Sequence, residues 1–147
     1  MERATKQMNI GEEIPSVTKT AYMPIDPNTR NVIHTDDYAR DFGMRGALIG
    51  GSTLLSYVLE MLYNYFGENW LYHGKIKVSY IGGGAINSDV VTAHGQISAI
   101  ESEEEGDRLI LDVWMEKEDG SKIVIGEANC IQTAGVIPAS PADAQSE

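Results

Sequence analysis

Apolar residues in this chain follow two rhythms. Between Ser52 and Phe66, the positions Leu54, Leu55, Val58, Leu59, Met61, Leu62, Tyr65 and Phe66 recur at helical intervals. That spacing predicts an α-helix with Ser52 or Thr53 as N-cap and Gly67 as terminator. The apolar positions cover more than one narrow stripe, so the helix is predicted to be buried over most of its circumference. Downstream, four segments have β character: KIKVSYI, DVVTAHGQISAI, RLILDVWMEK and KIVIGEANCIQ. Partial alternation puts Ile76, Val78 and Tyr80 on one face, as it does Ala93, Gly95, Ile97 and Ala99, and then Leu109, Leu111, Val113 and Met115. Turn residues separate the segments in GGGAINS, ESEEEGD and EDGS, and Asp119-Gly120 is a strong hairpin signal. Consecutive strands joined in this way predict an antiparallel meander. Upstream, SVTKTAY reads as a short strand and MPIDPNTRN as a loop.

One largely buried helix followed by strands implies an α+β domain with the helix packed on a sheet. A single sheet leaves an edge and a face to be covered, which favours a homodimer. Residues 1–9 are expected to form a flexible N-terminus, 10–134 a single domain, and 135–147, with their Pro, Ala, Ser and acidic character, a disordered tail.

Composition narrows the partners. Eleven Lys and Arg against 22 Asp and Glu give a net charge of -11, which repels nucleic acid and anionic membrane surfaces, so neither is an expected partner. No run approaches the roughly 20 apolar residues that span a bilayer. The single cysteine, Cys130, excludes an internal disulfide and a multi-cysteine metal site. With an N-terminus lacking an apolar signal core, it points to a reducing cytoplasm. Cys130 itself reads as a small buried residue near a strand end.

Candidate chemistry gathers before the helix, in NVIHTDDYARDFGMRGALIGG from Asn31 to Gly51. His34, with an ordinary pKa near ~6.5, can act as general base or acid at neutral pH, or can be a loop histidine bonded to Asp36 or the backbone. Asp36 or Asp37 can orient it, or can cap the turn in DDYAR. Gly50 and Gly51 suit a tight turn, and equally suit close approach of a ligand oxygen to unpaired amides at a helix start. Glu60 sits within the apolar helix, where a wet stripe accounts for it. His73 and His94 have no metal-ligand spacing. Tyr57, Tyr63, Tyr65, Trp70 and Tyr72 fit core and dimer packing, or the lining of a tunnel.

The order of elements, together with N-V-I-H-T-D at Asn31 to Asp36, resembles the MaoC-type dehydratases, or (R)-specific enoyl-CoA hydratases, of the hot-dog fold. Their signature is similar to D-x-N-P-[IL]-H-x-D, followed by an alanine-containing turn and a small-residue stretch ending in His-Gly at the central helix. Asn31, His34 and Asp36 match its Asn, His and second Asp, Ala39 its alanine, and Gly51 its glycine. Thr29 stands where the family's catalytic aspartate would be, Val32 at its proline, and Gly50 at its second histidine. The resemblance implies an antiparallel sheet wrapped around a central helix. It also implies hydration or dehydration of an enoyl or 3-hydroxyacyl thioester of CoA or acyl carrier protein, with no cofactor. His34, Asn31 and Thr29 would be the catalytic residues, Gly50 and Gly51 the oxyanion donors, and Asp36 a supporting residue. An anionic CoA ester would also need a basic patch, for which Lys75 and Lys77, or Arg40 and Arg45, are candidates. Two alternatives stand beside this reading: a non-catalytic hot-dog protein that binds an acyl group or small molecule, and a thioesterase using Glu60.

Overall fold

A computed structural model describes residues 8–23 and 48–133. Within them the chain runs β1 (Glu13–Thr20), α1 (Gly51–Phe66), α2 (Glu68–His73), β2 (Lys75–Tyr80), β3 (Val90–Glu103), β4 (Gly106–Lys117) and β5 (Lys122–Thr133). The strands form one antiparallel sheet in the order β1-β3-β4-β5-β2, with α1 packed against β1, β3, β4 and β5. The predicted central helix and sheet are both present.

Helix α1 buries Leu54, Val58, Met61, Leu62, Tyr65 and Phe66, while Leu59 packs partly against the core and Tyr63 is exposed. The fully buried positions form one broad face, and only Ser52, Ser56 and Tyr63, which share one narrow stripe, are exposed, so burial or partial burial extends over most of the circumference as expected. Across the interface lie Val91, Ala93, Ile97, Leu109, Leu111, Val113 and Met115, all essentially inaccessible. Each fully buried large aliphatic side chain contributes about 1.5–3 kcal/mol. The helix ends at Gly67, whose φ of 64° favours glycine and whose N–H bonds Tyr63 O at 2.8 Å. α2 follows at once and buries Trp70 beside Phe66, with ring centroids 6.2 Å apart.

Three details depart from the sequence expectation. The N-cap is Gly50 rather than Ser52 or Thr53: its carbonyl accepts the N–H groups of Thr53 and Leu54, and glycine has no side chain to add a cap. The meander holds for β3, β4 and β5 only: β2 lies beyond β5, pairing Lys75 with Asn129 through Tyr80 with Val124. Residues 81–89 therefore cross to the other side of the sheet instead of closing a hairpin. The alternation of β3 breaks at a bulge between Ile97 and Ala99, after which Ile100 rather than Ala99 packs against the core. The Asp119-Gly120 hairpin is as predicted: Gly120 has φ 83°, Lys117 N–H bonds Ser121 O, and Asp119 Oδ1 accepts the Ser121 N–H.

Candidate functional site

The crossing segment 81–89 acts as a strap. Asn87 Oδ1 accepts the Met23 N–H at 2.8 Å, and Asn87 Nδ2 donates to Met23 O at 3.2 Å. Two residues earlier, Ala85 O accepts the Ile49 N–H at 2.7 Å, and Ile86 bridges Leu48. The strap is itself held by hydrogen bonds from Ala21 N to Asp89 O, from Ser88 N to Ala21 O and from Ile86 N to Asp89 Oδ2. Both ends of the intervening stretch 24–47 are thus fastened to one strap, immediately before α1.

At the start of α1, Gly50 is extended, with φ -62° and ψ 145°, and its N–H points at Met23 Sδ 3.3 Å away. A thioether is a weak acceptor. The N–H groups of Gly51 and Ser52 open the helix and meet no acceptor among the described residues. They present the partial positive charge of a helix N-terminus. Tyr80, the last residue of β2, donates its hydroxyl to Gly51 O at 2.8 Å. A Cβ at Gly51 would lie 2.8 Å from Tyr80 Cζ, so glycine is what lets the ring sit against the helix. Nearby, the Tyr57 hydroxyl accepts the Tyr22 N–H at 3.4 Å.

Of the residues singled out from sequence, Gly50 and Gly51 stand at the start of α1, with the Gly50 amide directed to Met23 Sδ. Thr29, Asn31, His34, Asp36, Asp37, Ala39, Arg40 and Arg45 lie outside the described residues. Glu60 does face a polar flank, paired with Lys19 of β1. Lys75 and Lys77 alternate onto the sheet face away from α1, opposite to the side on which Tyr80 meets Gly51, so they form no basic patch at the helix start. His94 stacks on Trp114 with centroids 5.2 Å apart, and Lys122 lies 5.4 Å from the Trp114 ring. Among the described residues, no group of three or more His, Cys, Asp or Glu side chains forms a metal site. Cys130 is buried, and burial pushes its thiol up to about 11. Tyr65 and Trp70 are core residues, while Tyr63 and Tyr72 are exposed.

Met23, Asn87 and Tyr80 belong to the surroundings of the helix start, a role that sequence reasoning did not give them. Only the extended run of GGGAINS, too long for a tight hairpin, hinted that the segment had another task.

No family model and no curated protein matches the sequence. The fold, however, is similar to solved structures. The (R)-hydratase from A. caviae involved in PHA biosynthesis aligns with TM-score 0.63 at 16% identity, covering 84% of this chain and 96% of that one. The chain has the hot-dog fold. The ChsH1-ChsH2 complex from Mycobacterium tuberculosis aligns with TM-score 0.64 at 16% identity, over 86% and 99% of the two chains. The MaoC-like dehydratase from Rhodospirillum rubrum gives TM-score 0.55 at 11% identity, over 86% and 93%. Among the described residues, no helix of this hot-dog chain is long and apolar enough to cross a membrane.

Proposed function

We propose that this hot-dog chain is a homodimeric hydratase or dehydratase acting on an enoyl or 3-hydroxyacyl thioester. The observation that carries the reading is the fastening of both ends of the 24–47 stretch, through Met23, Leu48 and Ile49, to the strap beside the start of α1. That stretch carries Thr29, Asn31, His34 and Asp36 in sequence, and the reading assigns them to the Gly51 and Ser52 amides, which meet no acceptor among the described residues. The likeness to an (R)-hydratase and a MaoC-like dehydratase supports the same chemistry.

In the hydration direction, His34 takes a proton from water as the water oxygen bonds to C3 of the enoyl group. The C2–C3 π electrons move toward the thioester carbonyl, whose oxygen gains charge and is held by the Gly51 and Ser52 N–H groups. His34 then returns the proton to C2, and the 3-hydroxyacyl thioester leaves. Thr29 provides a hydroxyl that can hold the water but cannot accept its proton, which leaves His34 as the acid–base group and Asp36 as its orienting partner. Asn31 positions the water from the same stretch.

The test is hydration of crotonyl-CoA, with longer and aromatic enoyl thioesters beside it, by purified protein. His34→Ala is expected to lower the rate by ~10²–10⁴-fold with the fold intact. Thr29→Asp is expected to raise it, because a carboxylate there shares proton transfer. Absence of turnover on every thioester, with ligand affinity unchanged in His34→Ala, replaces this reading with that of a non-catalytic acyl-binding protein.

A further inference from the structure

Tyr80 combines three properties that the proposed chemistry leaves unused. It closes β2 at the sheet edge, its ring is pressed on the first residue of α1, and 51% of its surface is exposed. Its hydroxyl is committed to Gly51 O at 2.8 Å, so the phenol is not a free proton donor, and the ring is held at its far end as well as at its Cβ. A large apolar side chain left half exposed, yet pinned at both ends, offers a fixed flat wall rather than a mobile surface residue.

We infer that Tyr80 is the specificity-determining residue of the site: its ring is one wall of the acyl slot, admitting straight acyl groups and excluding branched or aromatic ones. The inference rests on the reading of the α1 start as the place where the thioester carbonyl binds. With that carbonyl oxygen on the Gly51 and Ser52 amides, the acyl carbons nearest to it lie within reach of the ring that touches Gly51. The ring cannot swing aside without breaking the bond to the Gly51 carbonyl, so a branch near the carbonyl meets a rigid surface. Shape discrimination of this kind in an apolar pocket is worth roughly 10–200-fold per group too many.

The test measures binding to the full-length protein, by calorimetry, of S-(2-oxoalkyl)-CoA analogues of butyryl-, isovaleryl- and phenylacetyl-CoA, in which a methylene between sulfur and carbonyl keeps the carbonyl oxygen and removes the cleavable thioester. The wild type is expected to prefer the butyryl analogue. Tyr80→Ala is expected to raise affinity for the other two relative to butyryl by roughly tenfold or more, and Tyr80→Leu by less. Tyr80→Phe keeps the wall and releases its anchor, so it should retain the wild-type ranking with narrower ratios. Because Tyr80 is half exposed on an edge strand, these variants should fold, and their far-UV spectra check this. An unchanged ranking in Tyr80→Ala, with the wild type binding all three, overturns the inference and leaves the reading of the helix start standing. A wild type that binds none of them overturns that reading, and the inference with it.

Discussion

Lys19 Nζ lies 2.8 Å from one carboxylate oxygen of Glu60 and 3.1 Å from the other, tying β1 to the flank of α1. The two side chains are 38% and 42% exposed, so water and salt screen the pair and it is worth at most about 1 kcal/mol. Its meaning is chemical. A carboxylate engaged by an ammonium on the helix flank is poorly placed to attack a thioester. Glu60→Gln is therefore expected to shift the urea midpoint only slightly and to leave any background release of free CoA unchanged. Loss of thioester hydrolysis in that variant would move Glu60 into the reaction and favour a thioesterase.

Asn87 replaces a strand partner for Met23, accepting from its N–H and donating to its carbonyl. Cutting both bonds in Asn87→Ala is expected to cost roughly 1–3 kcal/mol, since two partly buried backbone groups lose their partner. Asn87→Asp keeps an acceptor for the Met23 N–H and should cost less. Urea denaturation measures the stability of both. If the strap positions the stretch it fastens, turnover of crotonyl-CoA should fall in the same order, Asn87→Ala below Asn87→Asp. Equal stabilities of Asn87→Ala and wild type would remove the strap's role.

Alkaline pH provides a separate check of the core. Burial raises the Cys130 thiol from 9.0 to about 11, a shift only partly offset by the hydrogen bond with the Ile131 backbone and then by the charge of Arg108. Burial, then the negative charge of Glu12, raises the Tyr65 hydroxyl from 10.0 to about 12. Between the unfolded and folded values the unfolded chain holds fewer protons, so stability falls as pH rises. It should be unaffected by these groups below 9.0 and decline progressively toward about 12. Tyr65→Phe should flatten the upper part of that decline. The Tyr65 hydroxyl is buried with no hydrogen-bond partner among the described residues, so the same variant is expected to gain about 1 kcal/mol at neutral pH. Denaturant titrations from pH 7 to 12 test both statements.

What could be read from the sequence divides by range. Helix α1 was legible because Leu54, Val58, Met61 and Leu62 repeat with the period of the structure that buries them, and β4 because Leu109 to Met115 alternate without interruption. The place of β2 was not, since local turn residues cannot say whether a strand pairs with its successor or with one three strands on. The bulge that shifts the core-facing parity of β3 between Ile97 and Ala99 is likewise invisible in a run of small and apolar residues, so Ala99 was assigned the face that Ile100 occupies. At the site, the Asn31 to Asp36 motif is contiguous and stands out, while Asn87 meets Met23 across 64 positions and Tyr80 meets Gly51 across 29. Such pairs exist only once the strap and the sheet edge have been placed.

The two sheet edges differ in a way that predicts how copies of this chain associate. β1 contains Pro15, which has no N–H to donate, and its register with β3 slips at a bulge between Ile14 and Val17. Both features discourage addition of another strand. β2 has no proline and pairs with β5 in unbroken register from Lys75 to Tyr80. Among the described residues the edge suited to pairing is therefore β2, and a second copy meeting it about a two-fold axis would pair the two β2 strands antiparallel. Light scattering should give a mass about twice the 16.1 kDa of one chain. Lys75, Lys77 and the exposed Ser79 share one face of β2. Ser79→Lys would set three lysines against three across the axis while leaving the monomer's core untouched, so it should shift the protein toward monomer at low salt. Added salt should restore the dimer, because a Debye length of about 8 Å at physiological ionic strength screens such charges. Hydrogen exchange separates the edges directly: slow exchange along β2 that speeds up in Ser79→Lys supports this pairing, and a dimer whose protection lies on β1 overturns it.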